Sequence, residues 1–481
     1  MKLMKKLTAL LLTLVMVLGM GSVVHASETN PPKGTITIKN AIDKQTYSIY
    51  RILELESYVA EKNYAYKATD AWKEFFKTGA GKDYLTIDDS GVVTSNTKLK
   101  EESDAAAFAK AALAYAKANT STITKDDTTT ATSNTVIFDK LPLGYYLVDS
   151  STGALCSLNT TADTATIEEK NDVPSVEKTV DLATANIGQT VTFTTTIKAQ
   201  PGAENYVLHD KMSEGLTFDA NDANTVTVKK GTADVEKKYY TLKTTGLTDG
   251  CTFEIAFEQD FCNTLTDKDT IITVTYTAKL NEKAVIAGEG TNTTKLSYGD
   301  KSETAEAKTT TKTYEIPVYK YTMGTTNTKV ALAGVKFTLR ENAAGTDLIE
   351  LVDTKTVAAD GAAVYRHATA GDATTVTEVV TPDSGRFTIQ GLKAGTYYLT
   401  ETDTVTGYNK LTAPVTVVID ENGKVTVGDA GSQPVEIVEI ENKTGSLLPS
   451  TGGRGTMAFY IVGALLVLGS GVVLITKKRM R

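Results

Sequence analysis

Cysteine and histidine are scarce in this 481-residue chain, which contains three of each. The cysteines are Cys156, Cys251 and Cys262, too few for an exported protein that depends on disulfides. Cys251 and Cys262 pair only if their strands are neighbours, and otherwise all three are small buried thiols. The few cysteines and histidines show no ligand spacing of a transition-metal site. We therefore expect no metal and no cofactor.

Positive charge is also in deficit, with 50 Lys and Arg against 58 Asp and Glu and a net charge of -8. The excess of acid grows if the basic ends of the chain are removed during export, because neither end contains an acidic residue. An acidic exported surface argues against nucleic-acid partners. The sequence also lacks the pattern of a Ser/His/Asp triad or a phosphate-binding loop, so we do not expect a multiple-turnover enzyme.

The N-terminus predicts export. Residues 1–6 are basic, residues 7–20 are apolar, and Val24-His25-Ala26 is a small-residue cleavage site. These features predict a signal peptide over residues 1–26 and a mature chain that starts at Ser27.

The C-terminus has three successive parts. The pentapeptide Leu448-Pro449-Ser450-Thr451-Gly452 precedes an apolar stretch over 457–475, and a basic tail ends the chain. The apolar stretch is long enough for one transmembrane helix, and the tail predicts that its end stays in the cytoplasm. This order resembles the LPXTG cell-wall sorting signal of Gram-positive bacteria. The resemblance implies that a sortase cuts after Thr451 and joins its carbonyl to an amine; the alternative is a plain membrane anchor.

The remaining chain is rich in strand patterns. Thr, Val and Tyr alternate with polar residues, for example over 35–39, 190–194 and 271–276. With the turn signals between them, these segments predict a mainly β protein of tandem immunoglobulin-like sandwiches. Short helices are expected over 69–77 and 105–118, where aromatic and alanine residues recur at helical spacing.

Three domains and a sorting segment are predicted from this pattern. The segment Leu141–Asp149 is similar in sequence to Leu392–Glu401, whereas the middle third of the chain has a different characteristic segment. Boundaries near Pro174 and Pro317 separate the units. The predicted division is listed here: 34–172, 173–313, 314–444 and the sorting segment 445–481.

One lysine, one acid and one asparagine of the third domain suggest a self-made crosslink. Lys320 lies in an apolar first strand, Glu401 ends an apolar strand, and Asn442 follows the last strand. Burial lowers the pKa of a lysine and raises that of a carboxyl, so a neutral amine can attack the amide while the acid moves protons and ammonia leaves. The alternative is a lysine at the sandwich edge and an exposed asparagine.

The third domain resembles the CnaB-type domains of Gram-positive surface proteins and pilins. The resemblance rests on the opening Lys320, on the Gly-x-Tyr-x-Leu-x-Glu segment over 395–401 and on Asn442. It implies an internal isopeptide bond between Lys320 and Asn442, with Glu401 as the catalytic acid.

The second domain resembles the fimbrial isopeptide-forming D2 family, with a CnaA-like arrangement. Lys178 lies in Val-Glu-Lys-Thr-Val, Asp210 in His-Asp-x-Met-x-x-Gly-Leu, and Asn292 in Asn-Thr-Thr-Lys-Leu-Ser-Tyr. The resemblance implies a second bond between Lys178 and Asn292, promoted by Asp210.

The first domain resembles the N-terminal domain of backbone pilins. Lys39 and Asn171 occupy its predicted first and last strands, and Asp149 stands where the third domain has Glu401. The resemblance implies a third bond between Lys39 and Asn171. Because aspartate is one methylene shorter, Glu54 or Glu56 remains an alternative to Asp149 as the acid.

Lys170 is the expected point of linkage between subunits. Related backbone pilins carry a lysine at this junction, commonly within Tyr-Pro-Lys, but here the Tyr-Pro is missing. The resemblance implies that a pilin-class sortase joins Lys170 to Thr451 of the next subunit. Lys178 is the rival acceptor, and an ordinary solvated lysine is the structural alternative.

Across its whole length the chain resembles the major (backbone) subunits of sortase-assembled pili. The resemblance implies a secreted protein, covalently attached to the cell wall and exposed as a pilus. The implied partners are pilin-class and housekeeping sortases, other copies of the chain, minor pilins, peptidoglycan and, for an adhesive fibre, a host receptor. The alternatives are a monomeric LPXTG wall-anchored adhesin and a minor tip or basal pilin.

Overall fold

The computed structural model describes most of the region between the two terminal signals. The described residues are 33–59, 63–99, 102–150, 153–158, 164–169, 172–218, 226–299, 302–428 and 432–445, with 463, 466 and 467. This part of the chain is mainly β with few short helices, as predicted. None of its helices is long and apolar enough to cross a membrane. The signal peptide, the pentapeptide and nearly all of the predicted span 457–475 lie outside the described residues.

The chain divides into two compact units. The first unit runs to Ala183 and includes Gln189–Lys312, and the second consists of Thr184–Gly188 and the chain from Thr313. The predicted split of the first unit into 34–172 and 173–313 stays a prediction. Its strands nevertheless pair in two groups, one before and one after residue 172.

The N-terminal half of the first unit has ten strands and two α-helices among its described residues. These are β1 Lys33–Lys39, β2 Thr46–Val59, β3 Asn63–Ala68, α1 Lys73–Lys77, β4 Leu85–Ile87, β5 Val93–Asn96, α2 Glu102–Ala118, β6 Asp127–Thr130, β7 Thr135–Pro142, β8 Gly144–Ser150, β9 Gly153–Leu158 and β10 Thr164–Glu168. Short 3-10 helices over Asp70–Trp72 and Ala80–Asp83 flank α1.

Two sheets form the frame of this half, and the helices cover one of its cores. One sheet has the order β10-β1-β7, and the other has the order β3-β2-β8-β9 with β6 beside β2. The first and last strands, β1 and β10, run parallel as neighbours. Trp72, Phe75 and Phe108 from the helical segments are buried in one cluster with Tyr145 and Leu147 of β8. The predicted helices are confirmed, and their aromatic residues form core.

The second half of the first unit comprises β11–β22. These elements are β11 Ser175–Val180, β12 Thr190–Ala199, β13 Val207–Met212, β14 Leu216–Phe218, β15 Val226–Lys230, β16 Ala233–Asp234, the 3-10 helix Lys237–Tyr239, β17 Tyr240–Lys243, β18 Phe253–Phe257, α3 Gln259–Cys262, β19 Thr270–Leu280, α4 Lys283–Ala287, β20 Glu289–Tyr298, β21 Ser302–Glu303 and β22 Ala307–Lys312. Its sheets are β11-β12-β19-β15-β16, with β14 beside β19, and β17-β18-β13-β20-β21, with β22 beside β20.

The long strands of this half bury every second residue. In β12 the buried positions include Val191, Phe193 and Ile197, and in β19 they include Ile272, Val274 and Tyr276. Because successive side chains point to opposite faces of a strand, one face of each sheet forms the core. The first strand, β11, and the last strand, β22, belong to different sheets.

The second unit contains β23–β34. These strands are β23 Tyr314–Met323, β24 Lys329–Ala331, β25 Lys336–Arg340, β26 Leu351–Val357, β27 Ala363–His367, β28 Val379–Val380, β29 Arg386–Leu392, β30 Gly395–Asp403, β31 Val415–Ile419, β32 Val425–Val427, β33 Pro434–Val435 and β34 Val438–Glu441. One sheet has the order β24-β23-β29-β27-β26 with β34 beside β23, and the other has the order β28-β25-β30-β31-β32-β33. The first and last strands, β23 and β34, are parallel neighbours.

Candidate isopeptide crosslink sites

The pleat of β23 carries Lys320 into the core of the second unit. Ile316 and Val318 occupy the same face of the strand and are fully buried, and Lys320 follows them in phase. The Lys320 side chain has no exposed surface. A lysine that replaces an apolar residue in such a series is costly to bury unless polar partners meet its amine.

Gly385 allows a second strand to approach Lys320 closely. The Lys320 backbone N–H donates to the Gly385 carbonyl at 2.8 Å. Gly385 has a φ of +66°, and a Cβ at this position would lie 2.3 Å from the Lys320 carbonyl oxygen. Only glycine fits here without displacing β23.

An acid and an amide meet the Lys320 amine inside the sandwich. Lys320 Nζ lies 3.3 Å from Glu401 Oε2 and contacts Asn442 Oδ1. Asn442 Nδ2 donates to Glu401 Oε1 at 2.5 Å, and all three side chains are buried. The structure therefore brings together the three residues predicted from the sequence. Glu401 contacts the amide nitrogen of Asn442, because the amide oxygen faces Lys320.

Burial lowers the pKa of Lys320, and the charge of Glu401 opposes this effect. The amine also lies 5.7 Å from the centroid of the Phe337 ring, which excludes water from one side. These surroundings favour the neutral amine, the form that attacks a carbonyl.

Thr404 and an open pocket adjoin this site, and neither was expected from the sequence. Asn442 Nδ2 also donates to Thr404 Oγ1, at 2.8 Å. Thr404, Tyr408 and Glu401 line a pocket that is open to solvent.

A second buried lysine lies in the first unit. Lys178 shares the inward phase of β11 with the half-buried Val176 and Val180, and its side chain is fully buried. Lys178 Nζ lies 2.6 Å from Asp210 Oδ2 on β13 and 3.3 Å from Thr195 Oγ1 on β12. Lys178 is therefore placed to react inside the core, as its sequence context favoured, and is not an exposed acceptor for the Thr451 of another subunit.

Tyr276 links this lysine to Asn292, and sequence reasoning missed it. The Tyr276 hydroxyl contacts both Lys178 Nζ and Asp210 Oδ2, and it accepts a hydrogen bond from Asn292 Nδ2 at 3.1 Å. Asn292 is fully buried on β20, and its Oδ1 has no hydrogen-bond partner among the described residues. The one indication of its role in the sequence was that Tyr276 lies on the inward face of a strand that the sequence predicted.

The electrostatics of the first-unit site favour a neutral pair. Burial raises the pKa of Asp210, opposed by the charge of Lys178, and burial lowers the pKa of Lys178, opposed by Asp210. Burial and the adjacent Asp210 also raise the pKa of Tyr276 well above its usual value. A low-dielectric site of this kind stabilises an uncharged amine beside a protonated acid.

The two sites connect their sandwiches differently. Lys320 lies on β23 and Asn442 directly follows β34, the parallel neighbour of β23 in the same sheet, and Glu401 reaches them from the facing sheet. Lys178 lies in one sheet, whereas Asp210 and Asn292 lie in the facing sheet. A bond between Lys320 and Asn442 would join adjacent strands, whereas a bond between Lys178 and Asn292 would join the two layers of the sandwich.

Lys39 is not placed for a crosslink, which corrects the interpretation of the first domain. Ile36 and Ile38 fill the inward phase of β1, so Lys39 falls on the opposite face and is exposed. Asp149 is buried on β8, but the lysine beside it is Lys117 of α2, whose Nζ lies 3.6 Å from Asp149 Oδ1. The alternative acids are not buried as a catalytic acid for this bond would be, because Glu54 is half-buried and Glu56 is exposed.

Several predicted residues lie outside the described part of the chain. These are Lys170, Asn171 and the pentapeptide Leu448, Pro449, Ser450, Thr451 and Gly452. Of the cysteines whose side chains are described, Cys251 and Cys262 are free thiols, so the disulfide considered for them is wrong.

Two family models match the C-terminal part of the chain. The SpaA prealbumin-like fold domain matches residues 319–431, which include Lys320 and Glu401. The LPXTG cell wall anchor motif matches residues 440–480, which include Asn442 and Thr451. The chain carries a prealbumin-like fold domain and an LPXTG anchor. This anchor motif indicates attachment to the cell wall. No curated protein sequence matches the chain.

Solved structures similar to this chain include Gram-positive pilins. The T6 backbone pilin of serotype M6 Streptococcus pyogenes is 15% identical with a TM-score of 0.49, over 82% of this chain and 81% of that one. The Corynebacterium diphtheriae major pilin SpaA is 16% identical with a TM-score of 0.49, over 86% of this chain and 100% of that one. The group B streptococcus pilus 2b backbone protein is 25% identical with a TM-score of 0.39, over 57% and 99%.

Proposed function

We propose that this protein is the major structural subunit of a covalently polymerised, sortase-assembled pilus, stabilised by two self-formed Lys–Asn isopeptide bonds. The observation that carries the proposal is the buried trio of Lys320, Glu401 and Asn442 in a chain that ends in an LPXTG anchor motif. A buried lysine that touches an asparagine amide has little value as a salt bridge. It is well placed to become an amide.

The geometry of the second unit supports a direct proton path for the bond. The neutral Lys320 amine attacks Asn442 Cγ, and Glu401 takes a proton from the lysine nitrogen through Oε2. The carboxyl passes a proton to Asn442 Nδ2 through Oε1, the Cγ–Nδ2 bond breaks, and ammonia leaves. One C–N bond forms and one breaks, so atoms and charges balance. Fixed geometry supplies effective molarities of about 10⁵–10⁸ M for such a reaction.

The first-unit site supports the same reaction with an extra relay. Asp210 contacts Lys178 directly, and the Tyr276 hydroxyl contacts Lys178, Asp210 and Asn292. Tyr276 can therefore pass a proton from the lysine–aspartate pair to the leaving amide nitrogen. This relay is the reason to include Tyr276 among the reacting groups.

Polymerisation is proposed from the sorting signal and from Lys170. Each copy donates the carbonyl of its Thr451 and accepts that of another copy on Lys170. The product is a head-to-tail fibre, a heterologous assembly that does not close. Lys178 is a poor acceptor because its side chain is fully buried.

A cell-wall extract tests the proposed polymer. The full chain, expressed with a pilin-class sortase, should give a ladder of SDS-resistant species. The variant Lys170→Ala should collapse the ladder to one wall-bound band, whereas Lys33→Ala, at an exposed lysine of β1, should leave it intact. A single band from the unaltered chain would instead identify a monomeric anchored adhesin. A ladder that survives Lys170→Ala would place the acceptor elsewhere, and a single band would not exclude the internal crosslinks.

A further inference from the structure

Four potential metal ligands converge on the outer face of the sheet that carries Asp210. His209 precedes Asp210 on β13, so the pleat turns His209 outward when Asp210 points inward. Glu254 is the strand partner of His209 on β18. Asp249 and Cys251 come from the turn that leads into β18. This cluster was not predicted from the sequence, because the turn and the paired strands bring the four residues together only in the fold.

The ligand atoms are close enough to share one ion. One atom from each of His209, Asp249, Cys251 and Glu254 lies within 4.8 Å of the others. His209 Nδ1 is 2.9 Å from Asp249 Oδ2 and 3.4 Å from Glu254 Oε1. Cys251 Sγ is 3.9 Å from the same Glu254 oxygen.

The histidine ring is held with one nitrogen aimed into the cluster. Ser297 Oγ lies 2.9 Å from Nε2 of His209. The opposite nitrogen, Nδ1, is buried and makes no hydrogen bond with any described residue, although two carboxylates adjoin it. Metal-binding histidines are commonly oriented in this way, by a hydrogen bond to the nitrogen that does not bind the metal.

Two carboxylates and a thiol are gathered here around a ring nitrogen. Lys295, the partner of His209 on β20, is ion-paired with Glu303 at 2.8 Å and is not one of the converging ligands. A divalent cation at this point would bind the buried ring nitrogen, both carboxylates and the sulfur in one step.

We propose that His209, Asp249, Cys251 and Glu254 form a binding site for one borderline-soft divalent cation, best fitted by Zn²⁺. Nitrogen, sulfur and carboxylate ligands in a four-coordinate arrangement are typical of zinc, whereas calcium and magnesium prefer oxygen alone. On binding, the Cys251 thiol gives up its proton and becomes a thiolate ligand, so one proton is released.

The proposed ion would fasten the 249–252 turn to β13. The Thr252 N–H already donates to the Asp210 carbonyl at 2.6 Å, and the ion would add side-chain bonds on the outer face. The isopeptide site uses the inward side chain of Asp210, so the two sites are chemically separate. The metal site is therefore independent of the proposed crosslinks.

Cobalt and zinc binding to the mature protein test this site. With thiols kept reduced and prior metal removed by chelator, Co²⁺ should bind one per chain and give a thiolate-to-cobalt charge-transfer band. Zn²⁺ should displace the cobalt and abolish the band. The variant Cys251→Ser should lose the band, and Ser297→Ala should weaken Zn²⁺ binding about 10-fold.

Two variants serve as controls. Cys262→Ala removes the other described free thiol, and Asp267→Asn removes an exposed acid outside the cluster; both should bind cobalt like the parent. Unchanged thermal unfolding of each metal-free variant verifies its fold. Absence of one-to-one binding in the parent, or a band that persists in Cys251→Ser, would overturn the proposal.

Discussion

At the scale of single residues, the face of the strand on which a lysine lies decides whether its amine can form an internal crosslink. Lys320 and Lys178 follow the inward phase of their strands, and both are fully buried. Lys39 comes one residue after the buried Ile38, so it lies on the opposite face of β1 and is exposed. The alternation was visible in the sequence, so this phase rule would have rejected Lys39 without a structure.

Replacing Glu401 by Gln should prevent the Lys320–Asn442 bond while keeping a side chain of the same size. Glutamine cannot carry the proton from amine to leaving group. The two linked residues are 122 positions apart. In the chain-entropy view a crosslink that closes a loop of this length stabilises by about 4–5 kcal/mol. Denaturant unfolding of the second unit should reveal a loss of this order, together with one retained ammonia.

Glu439→Gln is the matched control for this variant. Glu439 lies on β34 close to Asn442 but forms a half-exposed ion pair with Lys329. Its loss should leave the bond intact and alter stability by less than about 1 kcal/mol. If Glu401→Gln still loses its ammonia at the normal rate, Glu401 is not the proton carrier.

Tyr276→Phe tests the relay in the first unit. The ring stays in the core, but the hydroxyl that joins Lys178, Asp210 and Asn292 is gone. Since a positioned proton-transfer group contributes about 10²–10⁴-fold, the Lys178–Asn292 bond should form at least 100-fold more slowly. The measurement is the fraction of crosslinked protein, by mass spectrometry, at successive times after synthesis.

Tyr206→Phe provides the comparison, because Tyr206 is also buried in the first unit but its hydroxyl accepts from the Gln200 N–H. This variant should crosslink at the parental rate. Equal rates for both tyrosine variants would show that Tyr276 only fills space.

At the scale of elements, the periodicity of the sequence predicted individual strands and helices but not the order of the strands in the sheets. The alternating strands and the two helical segments of the first third were readable because burial repeats at two or at about 3.6 residues. The sequence also suggested crosslinks between first and last strands, and these strands lie side by side for β1 with β10 and for β23 with β34. It could not show that β11 and β22 lie in different sheets, since strand order depends on long-range packing. Tyr276, Thr404 and the His209 cluster were missed for the same reason.

Gly385→Ala tests whether the close approach of β29 positions Lys320. A Cβ would collide with the Lys320 carbonyl, so β23 should shift and the crosslink in the second unit should form incompletely. The control is Gly407→Ala, where φ is also positive, at +95°, but no atom lies within 4 Å of the added carbon. Both variants carry a backbone cost of about 1–2 kcal/mol. Only Gly385→Ala should leave uncrosslinked protein in an intact-mass spectrum, and full crosslinking there would refute the positioning role.

At the scale of the whole molecule, the proposed bonds would compensate for the small number of cysteines, three in the sequence, that could form disulfides. In the second unit the bond would join the first and last strands, so tension applied at the ends of the unit would pass through an amide that reducing agents cannot cleave. In the first unit it would join the two sheets of the sandwich. Both bonds would act together with the sorting-signal linkage to make a fibre that is covalent from end to end.

Each proposed internal bond lowers the intact mass of the mature ectodomain by one ammonia. We expect a mass lower than that of the sequence by two ammonia molecules, with fragment spectra that join Lys320 to Asn442 and Lys178 to Asn292. A third loss that maps to Lys39 would contradict the account of the N-terminal half. A mass equal to that of the sequence would show that neither bond forms and would contradict the account as a whole.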